Sequence, residues 1–93
     1  MGEEIRAQLC AAVGTRSEVR FSYGVDKRVV CPHAVYETED GDILVAGPTA
    51  PLGKWHRFVV ASIEKLELTG HRFDPDKKFT ASGAEYHRVF CSV

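Results

Sequence analysis

No apolar run in this sequence approaches the ~20 residues needed to span a bilayer. The opening MGEEIRAQLCAA carries two acidic residues where a signal peptide would carry its hydrophobic stretch. A membrane role and export are therefore not expected. Met1-Gly2 begins the chain as a myristoylation signal does, but Arg6 stands where that signal needs Ser or Thr. Charge of neither sign dominates. With 12 Lys and Arg against 13 Asp and Glu, the chain lacks the basic excess of a protein dedicated to coating nucleic acid, although a local basic strip remains open to it. Cysteine is scarce, and Cys10, Cys31 and Cys91 form no spaced framework. An odd count suits a reducing compartment, so a cytoplasmic location is expected. There is no internal repeat, no low-complexity tract, no calcium-loop pattern and no glycine-rich phosphate loop. No nucleophile with a positioned base can be picked out. The expectation is a protein without cofactor that is not an enzyme.

What is present is the composition of one ordinary folded domain. The 93 residues are 44% apolar, 27% charged and 10% aromatic, enough for a single core and no more. The stretch Arg28–Gly47 reads as its centre: two strands, Arg28–Tyr36 and Ile43–Gly47, joined at Asp40-Gly41, where Gly supplies the positive φ of a hairpin turn. Ile43-Leu44-Val45-Ala46 is apolar on both faces and must be covered on both.

The other segments are its covers. Residues 3–15 are expected to form a helix with Ile5, Leu9, Ala12 and Val13 on one face, Glu3 and Glu4 favouring its start and Gly14 its stop. Ser17–Gly24 alternates as a half-buried strand, with Val19, Phe21 and Tyr23 inward. Pro48–Lys54 reads as a loop. Trp55–Val60 reads as a fourth strand, Ala61–Ile63 as a tight or helical turn, and Lys65–Thr69 as a fifth strand with Leu66 and Leu68 inward and Gly70 at its end. Glu85–Val93 fits helix by spacing and strand by its β-branched and aromatic content; strand is preferred. The fold class is thus mainly β with one N-terminal helix: a small, bent, five-stranded barrel over 17–69, with 70–93 as a C-terminal extension.

In their order, several features resemble the WYL domain over roughly residues 3–76. They are the leading helix, then Val19, Phe21 and Tyr23, then Arg28-Val29-Val30-Cys31-Pro32, then Gly41–Ala46, Arg57-Phe58, Ile63, and Arg72-Phe73-Asp74-Pro75. Asp42-Ile43-Leu44 occupies the family's Trp-Tyr-Leu position, and Ser62 stands where the family repeats an Arg. The resemblance implies an Sm-like barrel and a module of bacterial transcription regulators that senses a ligand or nucleic acid. One helix before the first strand leaves no room for a helix-turn-helix, and Met1 suggests a stand-alone product.

Arg28, His33, Lys54, Trp55, His56 and Arg57 are the candidate site, with cations for phosphate contacts and an indole for stacking on a base. The bland alternative is a core Trp55 among solvated charges. Cys31-Pro32-His33 and His87-x-x-x-Cys91 offer zinc-type ligands without knuckle spacing, so no metal is expected. The acidic residues Glu37, Glu39, Asp40, Asp42, Asp74 and Asp76 are better explained by turns and solubility. Two functions follow. One is a non-catalytic regulatory module for an anionic ligand such as a nucleotide or single-stranded nucleic acid. The other is an interaction domain that self-associates as a homodimer or docks a protein partner through open edge strands. Convergence of Arg28, Lys54 and Arg57 on one face favours the first; interruption of that face by Asp42 and Glu64 favours the second.

Overall fold

The computed structural model describes residues 2–49, 53–80 and 86–93. Among these residues, helix α1 (Gly2–Thr15) leads into seven strands: β1 (Ser17–Tyr23), β2 (Asp26–Val30), β3 (Ala34–Glu37), β4 (Ile43–Thr49), β5 (Lys54–Val59), β6 (Ile63–Arg72) and β7 (Arg88–Ser92). All pairings are antiparallel; the order is β6-β1-β2-β4-β3-β7, with β5 also on β4. The sheet curls strongly, as expected of a small bent barrel. A single 3₁₀ turn, Val60–Ser62, carries the chain from β5 into β6, as the sequence predicts for this point. Among the described residues no helix is long and apolar enough to cross a membrane.

The central hairpin has the expected turn, with Thr38 N–H donating to Asp42 O, Gly41 N–H donating to Thr38 O, and Gly41 at φ 89°. Its first arm is not one strand, however. Cys31 N–H donates to Pro48 O and His33 N–H to Ala46 O, yet Ala34 is also the pairing partner of Ala46. Two residues, His33 and Ala34, thus oppose one, which is a β-bulge directly after Pro32, a residue with no N–H to give. The approach is so close that a Cβ on Gly47 would lie 2.1 Å from Cys31 O, which makes glycine obligatory there.

Both faces of the hairpin are covered. On one, Val35 and Val45 join Val19, Phe21, Val30, Phe58, Val60 and Ile63 beneath Leu9 and Ala12 of α1. On the other, Ala34, Tyr36 and Ala46 lie beneath Leu44, Phe79 and Tyr86. The helix presents the face the periodicity predicts, with Ile5 packed on the core at its edge. It runs through Gly14 and stops at Thr15; Arg16, at φ 55°, takes the left-handed position after it.

Two expectations for β6 need correction. Leu68 is not inward but 62% exposed, because register shifts flank this part of β6 and, among the described residues, no element covers it. Gly70 does not end β6; at φ 92° it lets the strand bulge and continue to Arg72. Cys10 and Cys91, which show no framework spacing in the sequence, are joined as a disulfide, leaving Cys31 as the free thiol. The C-terminal extension does contain a strand, β7, paired to β3. Residues 50–52 of the expected loop and 81–85 of the extension lie outside the described residues.

Candidate functional site

The sheet sorts the candidate residues onto two faces. On β5, Phe58 points into the core and pairs with Val45, so its neighbour Arg57 faces the opposite way, above Ala46, as does Trp55. A groove of about 680 Å³ opens there, lined by Trp55, His56, Arg57, Lys78, Phe79 and Tyr86. Arg28 goes to the other face. It shares a face with buried Val30, two residues on along β2, its guanidinium lies 6.0 Å from the Phe58 ring centroid, and it pairs with Asp26 at 3.6 Å. The His56 ring also leans toward Phe58, at 6.0 Å. Lys54 is exposed and does not line the groove. Arg28, Lys54 and Arg57 therefore do not converge; Lys78, from the segment after β6, supplies the groove's second cation.

His33 is not a surface ligand. It is 1% exposed, and both ring nitrogens are engaged: Nδ1–H donates to Cys31 O at 2.8 Å, and Nε2 accepts the Asp76 N–H at 3.0 Å. That pattern needs the neutral imidazole with its proton on Nδ1. The bulge is what turns the ring this way. Simple alternation puts Cys31 and His33 on one face, but the Cys31 thiol instead reaches Glu18 on β1, 3.9 Å away, while the imidazole sits under the groove. A shared Cys31–His33 ligand pair is thereby ruled out. His87 and Cys91 fare no better, since Cys91 is spent in the disulfide. No group of three or more metal-ligating side chains occurs among the described residues.

Around His33 runs a chain of rings. Phe73 stacks on it at 5.0 Å, Trp55 meets it edge-on at 4.8 Å and Phe79 at 5.6 Å. Phe79 lies nearly parallel to Trp55, 5.1 Å away, and Tyr86 packs on Tyr36 at 4.3 Å. Trp55 stays 41% exposed. It is therefore neither the core residue of the bland reading nor a free platform, since Phe79 already stacks on it and His33 meets it edge-on. The segment bearing Phe73, Lys78 and Phe79 is pinned by Phe73 N–H to Arg16 O and by Asp76 N–H to His33. Lys78, Phe79 and Tyr86 were missed because they share no periodicity with the strands; the two phenylalanines, Phe73 and Phe79, of a charged stretch were the one available signal.

The Cys31 thiol is held above its ordinary 9.0 first by burial, then by the charge of Glu18 and the hydrogen bond to it. It is a resting thiol, not an activated one.

No protein-family model matches the chain, and no curated protein does. Among solved structures it is similar to the proteasome accessory factor B/C (PafBC) of Arthrobacter aurescens, with a TM-score of 0.74 and 20% identity over 83% of this chain. The likeness takes in 13% of that much longer chain. At this identity it shows the fold: the present chain has the fold of one small part of a larger protein.

Proposed function

We propose that the chain is a non-catalytic, WYL-like regulatory module whose groove takes an anionic ligand with an aromatic ring, such as a nucleotide or a short single-stranded nucleic acid. The observation that carries this reading is the meeting of Trp55, Phe79 and Tyr86 with Arg57 and Lys78 around one groove of nucleotide size, about 680 Å³. Aromatic faces hold a base with little regard for its identity, and two cations attract phosphate. Regulation is the part drawn from the sequence resemblance, supported by the shared fold with a segment of PafBC.

A second reading has its own observation. The outer edge of β6 is unpaired among the described residues, and beside it an apolar groove of about 390 Å³ lies between α1 and the exposed Leu68. That face suits an interaction domain.

Titration of the lone Trp55 decides between them. Adenine nucleotides and short single-stranded oligonucleotides, added at low and moderate salt, should quench its fluorescence, less so as salt rises. Arg57→Ala and Lys78→Ala should each weaken that binding roughly tenfold, the worth of one charge-assisted contact. An emission that none of these probes moves overturns the ligand reading, and sedimentation of the same sample then tests self-association.

A further inference from the structure

The Cys10–Cys91 bond ties α1 to β7 across 81 residues, with the two Cα atoms 5.6 Å apart. It sits at an edge of the sheet, because among the described residues β7 pairs with β3 alone. Both cysteines are half-buried, so a small thiol need not open the core to reach them. Two arginines gather on the ring beside Cys91. Arg6, one helical turn before Cys10, lies 4.4 Å from the ring centroid of Phe90, the neighbour of Cys91, and Arg88 approaches the same ring at 5.2 Å. Positive charge beside a disulfide attracts the attacking thiolate and stabilises the one that leaves.

From this bond two short routes lead to the groove. Val93, two residues beyond Cys91, donates its N–H to His33 O at 2.8 Å, and the His33 ring packs on Trp55. In the other direction, the chain entering β7 carries Tyr86 of the groove's wall, which meets Phe79 at 6.3 Å. The end of β7 thus holds His33 by its backbone while Asp76 holds it by its ring.

We infer that the Cys10–Cys91 disulfide is a redox latch: its reduction by a dithiol frees β7 from α1 and loosens the aromatic wall around Trp55. One thiolate of the dithiol attacks a cysteine sulfur, forming a mixed disulfide and releasing the other cysteine as a thiolate that takes up a proton. The second thiol of the reagent then displaces the first cysteine. The dithiol ends as its own disulfide, and two electrons and two protons have passed to Cys10 and Cys91. The inference concerns the motion of the chain and stands whatever the groove binds.

The test uses the full chain, air-oxidised, before and after dithiothreitol. Alkylation should count one thiol before reduction, Cys31, and three after. Hydrogen exchange should then quicken about tenfold or more over residues 86–93, and Trp55 emission should move to the red, while amides of α1 and β1 keep their protection. Cys10→Ser/Cys91→Ser should behave as the reduced chain with or without reductant, and Cys31→Ser as the parent. Three thiols in the oxidised sample would overturn the latch. So would unchanged exchange over 86–93 once three thiols are counted. Loss of protection across α1 and β1 as well would make the bond a staple of the whole fold, and would overturn it too.

Discussion

Two aromatic clusters among the described residues are built on different plans. The inner one, Phe21, Tyr23 and Phe58, meets edge to face at 5.0–6.3 Å, with Phe21 and Phe58 nearly sealed from solvent at 1% and 4% exposure. Its members come from two strands whose alternation alone turns them inward, and Tyr23 Oη accepts the Val59 N–H. The outer one strings His33, Trp55, Phe73, Phe79 and Tyr86 across the hairpin's other face. It depends on a bulge, on a buried imidazole, and on a segment with little regular structure. Burial that follows from periodicity stabilises the fold; burial assembled from a bulge and a loop shapes a site that can change without the fold changing. Mutations should therefore separate the two.

The largest effect is expected from Phe21→Ala. The ring is fully packed between Tyr23, Phe58 and the helix face, so its loss removes burial and leaves a cavity, costing about 3–5 kcal/mol. Against a total stability of order 5–15 kcal/mol, such a variant stands near unfolding. Urea titration followed by far-UV circular dichroism measures it. A loss below about 1 kcal/mol would mean that the inner cluster is not the centre of stability.

A smaller and different effect is expected from His33→Phe. The ring stays aromatic, but Cys31 O and the Asp76 N–H both lose their partner, for about 1–3 kcal/mol. Trp55 emission should shift while circular dichroism stays that of the parent, because what comes loose is the 73–79 segment and not a strand. Unchanged Trp55 emission would show that the outer cluster does not hang on His33.

The same contrast explains what was legible in the sequence. The helix face, the alternation of Val19, Phe21 and Tyr23, the turn at Asp40-Gly41 and the need to cover Ile43–Ala46 twice are all local periodicities, and each reappears in the structure. Pro32 was visible, but not that its bulge flips His33 away from Cys31, since a register shift is a property of two strands. Trp55 and Arg57 stand two apart on a strand, so alternation alone puts them on one side, and they do share the groove. Arg28 and Lys54 were joined to them only by charge, which carries no information about face. Lys78, Phe79 and the Cys10–Cys91 pair come from contacts distant in sequence, and no spacing rule reaches them.

Cys31 lies at the seam between the clusters: its carbonyl takes the His33 proton donor, and its thiol donates toward Glu18, whose other oxygen accepts from Thr69 at 2.9 Å. Because the folded chain raises this thiol above 9.0, it favours the neutral form. The unfolded chain ionises first as pH rises. The stabilising contribution is therefore complete below that ordinary value and is lost as pH climbs through the higher folded one, where a thiolate would face the Glu18 carboxylate. Lysines and tyrosines titrate in the same alkaline range, so the informative quantity is a difference. The stability of the parent should fall more steeply with pH than that of Cys31→Ser, whose hydroxyl keeps the donor and does not ionise there. The effect should be the smallest of the three, since the thiol is only half-buried. Parallel curves for the two chains would show that the seam is electrostatically silent and that the clusters are coupled through the backbone alone.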